Sequence, residues 1–215
     1  SGGSGLENAV SRTELINAIL ITLFNRAQND EGKSNQLTLI ATGGFGRGLL
    51  NPKSDVDLLF LTRKASEKLS KTTEQSIHQT LYPLWDLGLD VGYAVRSHGE
   101  MMKHGKIDPH AKTSLLESRH IAGPQAPFAQ LKERFTRSLV KQRREEFVSE
   151  RLEAMAQRHS KYGSTVFLQE PQIKEGPGGL RDFHHLLWFT FASQGTLDAS
   201  ALVEAGTLTK RSYQA

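Results

Sequence analysis

Asp55 and Asp57 stand one residue apart in Asp55-Val56-Asp57-Leu58-Leu59-Phe60-Leu61, a run with the composition of a buried strand. On a strand, residues i and i+2 leave the same face, roughly 6.5 Å apart at Cα. The two carboxylates therefore project together while Val56 turns to the core. Carboxylates held so close repel unless they are protonated or bound to cations. Magnesium is a hard cation that takes oxygen ligands and shares them with phosphates. Two such ions about 3.5–4 Å apart can activate a nucleophile and steady a leaving pyrophosphate. A D-x-D at a strand start can also be plain solvent-facing surface. The stretch upstream weighs against that: Gly43, Gly44, Gly46 and Gly48 make a loop whose backbone can take positive φ and approach a ligand closely. Loop and carboxylate pair together read as a phosphate cradle beside a metal site. No Lys-Ser/Thr pair closes the glycine loop, which disfavours a P-loop NTPase.

A second stretch, Lys174-Glu175-Gly176-Pro177-Gly178-Gly179, is a polar glycine-rich turn ahead of an amphipathic helix carrying Leu180, Phe183, Leu186 and Leu187. Free backbone N–H groups and the helix dipole at such a start can hold an anion. Lys174 and Arg181 would add charge at phosphate oxygens. On spacing alone a tight interdomain turn, with Arg181 and Asp182 in structural salt bridges, is an equal reading. The histidines show no metal-ligand spacing; His184 and His185 are adjacent, and helix neighbours do not share a face.

The elements that must position these residues follow from periodicity. Ser11-Arg12-Thr13-Glu14 matches a capping box, and Leu15 to Ala27 continue at helical spacing. Strands are expected at 36–41, 55–61 and 89–96, the last with Asp90, Gly92, Ala94 and Arg96 on one face. Helices are expected at 66–87, with Pro83 as a kink or end and Trp85 in the core, and from Ser97-His98-Gly99-Glu100 to about His104. Another runs from Asp108-Pro109 toward Arg119, and residues 126–160 form one or two long helices. Gly123-Pro124 marks a boundary, so the domains read as 11–123 and 124–215, with 1–10 a linker remnant.

The bounds are those of an ordinary soluble chain: 215 residues, 37% hydrophobic, 23% charged, net charge +4. That mild charge lacks the concentrated basic face of a nucleic-acid binder. No apolar run approaches the ~18 residues of a membrane span. Cysteine is absent, which excludes disulfides and cysteine zinc sites and fits a reducing, cytoplasmic setting.

Gly43-Gly44-Phe45-Gly46-Arg47-Gly48, with Leu50-Asn51-Pro52-Lys53-Ser54-Asp55-Val56-Asp57, resembles the nucleotidyltransferase (polymerase β-like) signature. In detail it resembles the transferase region of the PII uridylyltransferase/uridylyl-removing family. Lys174 to Asp182 resembles a second hallmark of that family, and two motifs in the right order are more specific than either. The resemblance implies an α/β fold: a small mixed-sheet nucleotidyltransferase core with flanking helices, then an all-α helical domain. It implies Asp90 as a third acid, so that Asp55, Asp57 and Asp90 are both catalytic and metal-binding, with Mg²⁺ (or Mn²⁺) in a two-metal site. It implies nucleotide contacts from Gly43, Gly44, Gly46, Arg47, Ser54, Lys174, Gly178, Gly179 and Arg181. UTP would be the donor and a tyrosine of a PII-type nitrogen-regulatory protein the acceptor, with neither nucleic acid nor membrane as partner. The family's phosphohydrolase and ligand-sensing domains have no counterpart in the motifs here. Tyr93 stands where the family usually has His. Thr113 to Arg119 matches a Thr-x-Leu-Leu-Glu-x-Arg segment, in which Glu117 and Arg119 are expected to pair. The alternatives are an adenylyltransferase acting on glutamine synthetase or another protein, a non-catalytic nucleotide-sensing module, and a transferase acting on RNA or a small molecule.

Overall fold

The structure is a computed structural model that describes residues 4–30, 37–162 and 172–214. Gln36, expected to open the first strand, lies outside them. The chain divides into two compact units, Ser1–Phe135 and Thr136–Ala215.

The first unit is built on four strands, β1 (Leu37–Ala41), β2 (Val56–Thr62), β3 (Val91–Ser97) and β4 (Arg119–Ala122), in the order β3-β2-β1-β4. β1 is antiparallel to both β2 and β4, whereas β2 and β3 are parallel, so the sheet is mixed. A parallel pair needs a crossover. Here a 3-10 turn (Ser66–Lys68) and a helix supply it. The helices of this unit are α1 (Gly5–Asp30), the glycine turn α2 (Gly43–Gly46), the crossover α3 (Lys71–Asp86), α4 (His98–Ile107), α5 (Pro109–Leu116) and α6 (Gln125–Phe135).

Strand alternation sorts the sheet into two faces. Leu39 of β1 and Val56, Leu58 and Phe60 of β2 pack in one core with Ile16, Leu20 and Phe24 of α1 and Ile77, Leu81 and Leu84 of α3. Burying each of these side chains is worth about 1.5–3 kcal/mol. The opposite face carries Ile40, Asp57, Leu59 and Leu61. α4 packs against β3 on this unit, and α6 against β1 and β4.

Local signals set most of the helix starts. Ser97 and Glu100 form the expected capping box, and Asp108 caps α5 by accepting the His110 N–H at 2.8 Å. Glu100 also accepts from the Ser66 N–H and hydroxyl, tying α4 to the crossover. Burial alone would raise its pKa, but the hydrogen bonds from Ser66 and Ser97 hold it at about 2.

Several expectations are corrected. α1 begins at Gly5, where Ser4 and Glu7 exchange hydrogen bonds, and not at Ser11. Thr13 instead donates to the Ala9 carbonyl and accepts the Leu50 N–H at 3.0 Å. Pro83 lies inside α3, which continues to Asp86. Trp85 is 38% exposed, in a row of rings with Tyr82 and Tyr93. The helix expected to run toward Arg119 stops at Leu116 because β4 pairs with β1, a tertiary contact that overrides local pattern.

In the second unit a π-helical segment (Thr136–Lys141) is followed by α7 (Arg144–Lys161), α8 (Leu180–Gln194), α9 (Ser200–Glu204) and α10 (Lys210–Gln214). α7 packs on α8. Phe147 and Arg151 of α7 and His184, His185 and Trp188 of α8 are buried. Burial first, and then the charge of Arg158, push the His185 imidazole down from 6.5 to about 4.

The unfolded chain therefore binds a proton between pH 6.5 and 4 that folded His185 does not, and stability present above pH 6.5 is lost as pH falls through that window. We expect urea denaturation to report a loss of up to about 3 kcal/mol from this group, and His185→Phe to flatten the slope. An identical slope in the variant would contradict a neutral, buried His185.

Candidate active site

Asp55 directly precedes β2 and Asp57 is its second residue. Val56 between them is buried in the core, so the two aspartates leave by the opposite face. Asp57 is half-buried and Asp55 exposed. The parallel register sets Val56 beside Val91 and Asp57 beside Gly92. The Val56 N–H donates to the Asp90 carbonyl at 2.8 Å, one step earlier. Asp55, Asp57 and Asp90 thus lie at the starting end of two adjoining parallel strands. Strand parity gives the face of each aspartate, but only the parallel pairing of β2 with β3 brings Asp90 beside the other two.

The glycine segment is a helical turn rather than an open loop. Thr42 joins it to the sheet by donating its N–H to the Asp57 carbonyl at 3.0 Å. Gly43 has φ +58°, and a Cβ built on it would lie 2.6 Å from Asp57 Oδ2. One on Gly92 would lie 3.1 Å from Oδ1. The Asp57 carboxylate is therefore seated between two glycines. The N–H groups of Gly43 and Gly44, in the first turn, are not consumed by the helix's own ladder. Ser54 closes the following turn by donating its N–H to the Asn51 carbonyl at 3.0 Å.

The segment from Glu117 to Arg119 holds this turn from the other side. A Cβ on Gly46 would meet the Glu117 carbonyl at 2.5 Å, so only glycine lets the chains approach this closely. Arg47 pairs with the Glu117 carboxylate at 2.5 Å. Arg119 donates to the Phe45 carbonyl and to Asn17 Oδ1, each at 3.2 Å, and its guanidinium lies over the Phe45 ring. Glu117 and Arg119 do not pair with each other as expected; each engages the glycine turn. The Leu-Leu-Glu-x-Arg spacing signalled the pair but not its partner.

In the second unit Asp182 is the hub of the glycine-rich turn. It accepts the Gly178 N–H at 2.7 Å, pairs with Arg158, and lies 3.0 Å from His159 Nε2. Burial raises its pKa, but Arg158, Gly178 and His159 together bring it below the usual carboxylate value. The Gly179 N–H donates to the Gly176 carbonyl, and Arg181 pairs with Glu175 at 3.3 Å, so Arg181 and Asp182 both make structural salt bridges, as the tight-turn reading expects, but with other partners than each other. Lys174 is exposed. Sequence reasoning missed Arg158 and His159 because they lie on α7, over twenty residues upstream.

Among the described residues no three His, Asp or Glu side chains already converge on one point as a metal cluster. The donor set at Asp55, Asp57 and Asp90 is all carboxylate oxygen. It fits a hard cation that takes one or two carboxylates and completes its shell from phosphate oxygens and water.

A family model described as GlnD PII-uridylyltransferase matches residues 146–215, and one described as Nucleotidyltransferase domain matches residues 25–121. The bifunctional uridylyltransferase/uridylyl-removing enzyme of Rhodopseudomonas palustris is 40% identical over 195 residues, 88% of this chain and 21% of that protein. Its namesake from Rhodospirillum rubrum is 38% identical over 96% of this chain and 22% of its own length. The one from Azospirillum brasilense is 45% identical over 70% of this chain and 16% of its own. The chain thus spans about a fifth of the length of the first two. A solved structure described as "Crystal structure of the toxin-antitoxin with AMP-PNP" is 14% identical, with a TM-score of 0.34 over 66% of this chain and 95% of that one. A likeness at that score carries no weight here.

Gly43 and Gly48 both have positive φ, but a Cβ on Gly48 would meet nothing within 4 Å. Gly43→Ala and Gly48→Ala should each lower stability in urea by about 1–3 kcal/mol through backbone strain. Only Gly43→Ala should also displace Asp57 and weaken nucleotide binding, measured by calorimetry. Equal binding by both variants would show that the Asp57 seat does not matter.

Proposed function

The chain belongs to the family of the bifunctional uridylyltransferase/uridylyl-removing enzymes over the stretch it shares with them, and from that premise we propose that it moves a UMP group from UTP to a tyrosine of a PII-type protein. The observation that carries the reading is the Asp57 carboxylate seated between Gly43 and Gly92, with Asp55 and Asp90 at the same end of the sheet.

Each group has a task in this proposal. Gly43 and Gly44 hold the triphosphate by backbone contact, with Gly46, Arg47 and Ser54 shaping the turn around it. Asp55, Asp57 and Asp90 hold Mg²⁺, which supplies charge stabilisation at the phosphates. The acceptor hydroxyl oxygen attacks the α-phosphorus in line: that O–P bond forms, the bond to the β-phosphate bridging oxygen breaks, and pyrophosphate leaves. Asp90 takes the hydroxyl proton. Little covalent chemistry falls to the protein, so catalysis is positioning and electrostatics. In the second unit the Gly178 and Gly179 N–H groups are taken by Asp182 and the Gly176 carbonyl, so what the stretch would offer a phosphate is the side-chain charge of Lys174 and Arg181. The setting is cytoplasmic; among the described residues no helix is long and apolar enough to cross a membrane.

The test is transfer of label from α-phosphate-labelled UTP to a PII-type protein. Asp57→Asn and Asp55→Asn should abolish it while changing urea stability by no more than about 1 kcal/mol. Undiminished transfer in either variant would sink the assignment.

A further inference from the structure

Along β2 and β3 from Asp57 and Gly92, the first unit holds a cavity of about 240 Å³. Its floor includes Leu59 and Ala94, which face each other in the parallel register two residues beyond Asp57 and Gly92. Thr42, whose N–H holds the Asp57 carbonyl, also lines it, as do Met101 of α4 and Ala111 of α5. The floor thus starts roughly 6.5 Å from Asp57 at Cα, a span that a ribose bridges. Apart from Leu58, the remaining lining is polar. His104 Nε2 lies 3.8 Å from Asp108 Oδ2, while Asp108 Oδ1 already accepts the His110 N–H. Ser114 and Arg96 add a hydroxyl and a guanidinium.

We infer that this cavity takes the pyrimidine ring of the nucleotide whose α-phosphate lies at the aspartates. The inference rests on the transfer reading of the site. At about 240 Å³ the cavity is below the ~300–1,000 Å³ of pockets that take drug-sized ligands, so it suits one ring rather than a whole nucleotide. Leu59, Ala94 and Met101 offer apolar contact to the ring's faces. A uracil edge presents an N–H between two carbonyls. Asp108 is an acceptor for the N–H, and Ser114, His104 and Arg96 are donors for the carbonyls. The acceptor's tyrosine ring matches by size but not by chemistry. Its reactive hydroxyl is the ring's tip, which must meet the α-phosphate at the aspartates and so cannot lie at the polar far end of the cavity.

The test fills the cavity in the intact chain with Ser114→Phe and, separately, Ala111→Leu. Calorimetry then measures binding of UTP and of inorganic pyrophosphate, each with Mg²⁺. We expect UTP affinity to fall about tenfold or more in at least one variant, with pyrophosphate affinity unchanged, which also shows that the variant is folded. Unchanged UTP affinity in both variants overturns the inference. So does a rise confined to the KM of the protein acceptor, which would give the cavity to the tyrosine. Joint loss of both ligands in both variants overturns it too, because the cavity would then not be separable from the phosphate site. Wild-type chain that binds neither ligand would instead remove the transfer reading on which the inference stands.

Discussion

The first unit depends on one close approach. Asp57 can bring its carboxylate against the glycine turn only because Gly43 and Gly92 carry no side chain where its oxygens sit. The same strand segment holds the turn through backbone, the Thr42 N–H to the Asp57 carbonyl. Strand and turn are therefore locked at the residue where a phosphate would meet a carboxylate. The parallel pairing of β2 and β3 adds the third acid, and it exists only because the crossover through α3 returns the chain in the same direction. A register slip of one residue would turn Asp57 to the core and Val56 to the site.

Around this seat the fold supplies stiffness rather than chemistry. α1 and α3 bury Val56, Leu58 and Phe60, which fixes the direction of the alternate residues. Arg47–Glu117 and Arg119–Phe45 tie the glycine turn to the segment leading into β4. Arg119 is desolvated, which lowers its pKa, and its two carbonyl partners and the Phe45 ring compensate for the lost water. A site proposed to hold polyanions gains from being built on short, inflexible links of this kind. In the second unit Asp182 does similar work for the turn before α8, with Arg158 and His159 as its partners.

Much of this was legible in the residues, and the failures have common physical causes. Asp55, Asp57 and the glycines are close in sequence, and strand parity is a local rule, so their mutual placement could be read directly. Asp90 required the resemblance to a family, because nothing local says that β3 lies beside β2. β4 is missing from the sequence reading, which runs a helix up to Arg119, because Arg119 to Ala122 owe their strand state to β1, some eighty residues away. Trp85 was assigned to the core on its spacing, but α3 turns it toward Tyr82 and Tyr93 near the sheet edge. The capping box at Ser11 matched the pattern and was not used, since Ser4 and Glu7 start the helix earlier. Ion pairs were the least legible: Glu117 takes Arg47, and Asp182 takes Arg158, both far away in sequence. A charge pattern shows that a partner is needed without showing which.

The central claim is that the three aspartates and the glycine turn form a metal-dependent site for a uridine nucleotide. Its most direct test is calorimetric titration of the chain with UTP, ATP, CTP and GTP, each with Mg²⁺ and again with excess chelator. Binding of UTP in preference to the other three, lost on chelation, is the outcome the proposed function predicts. Equal binding of all four, or UTP binding that survives removal of the cation, would contradict it.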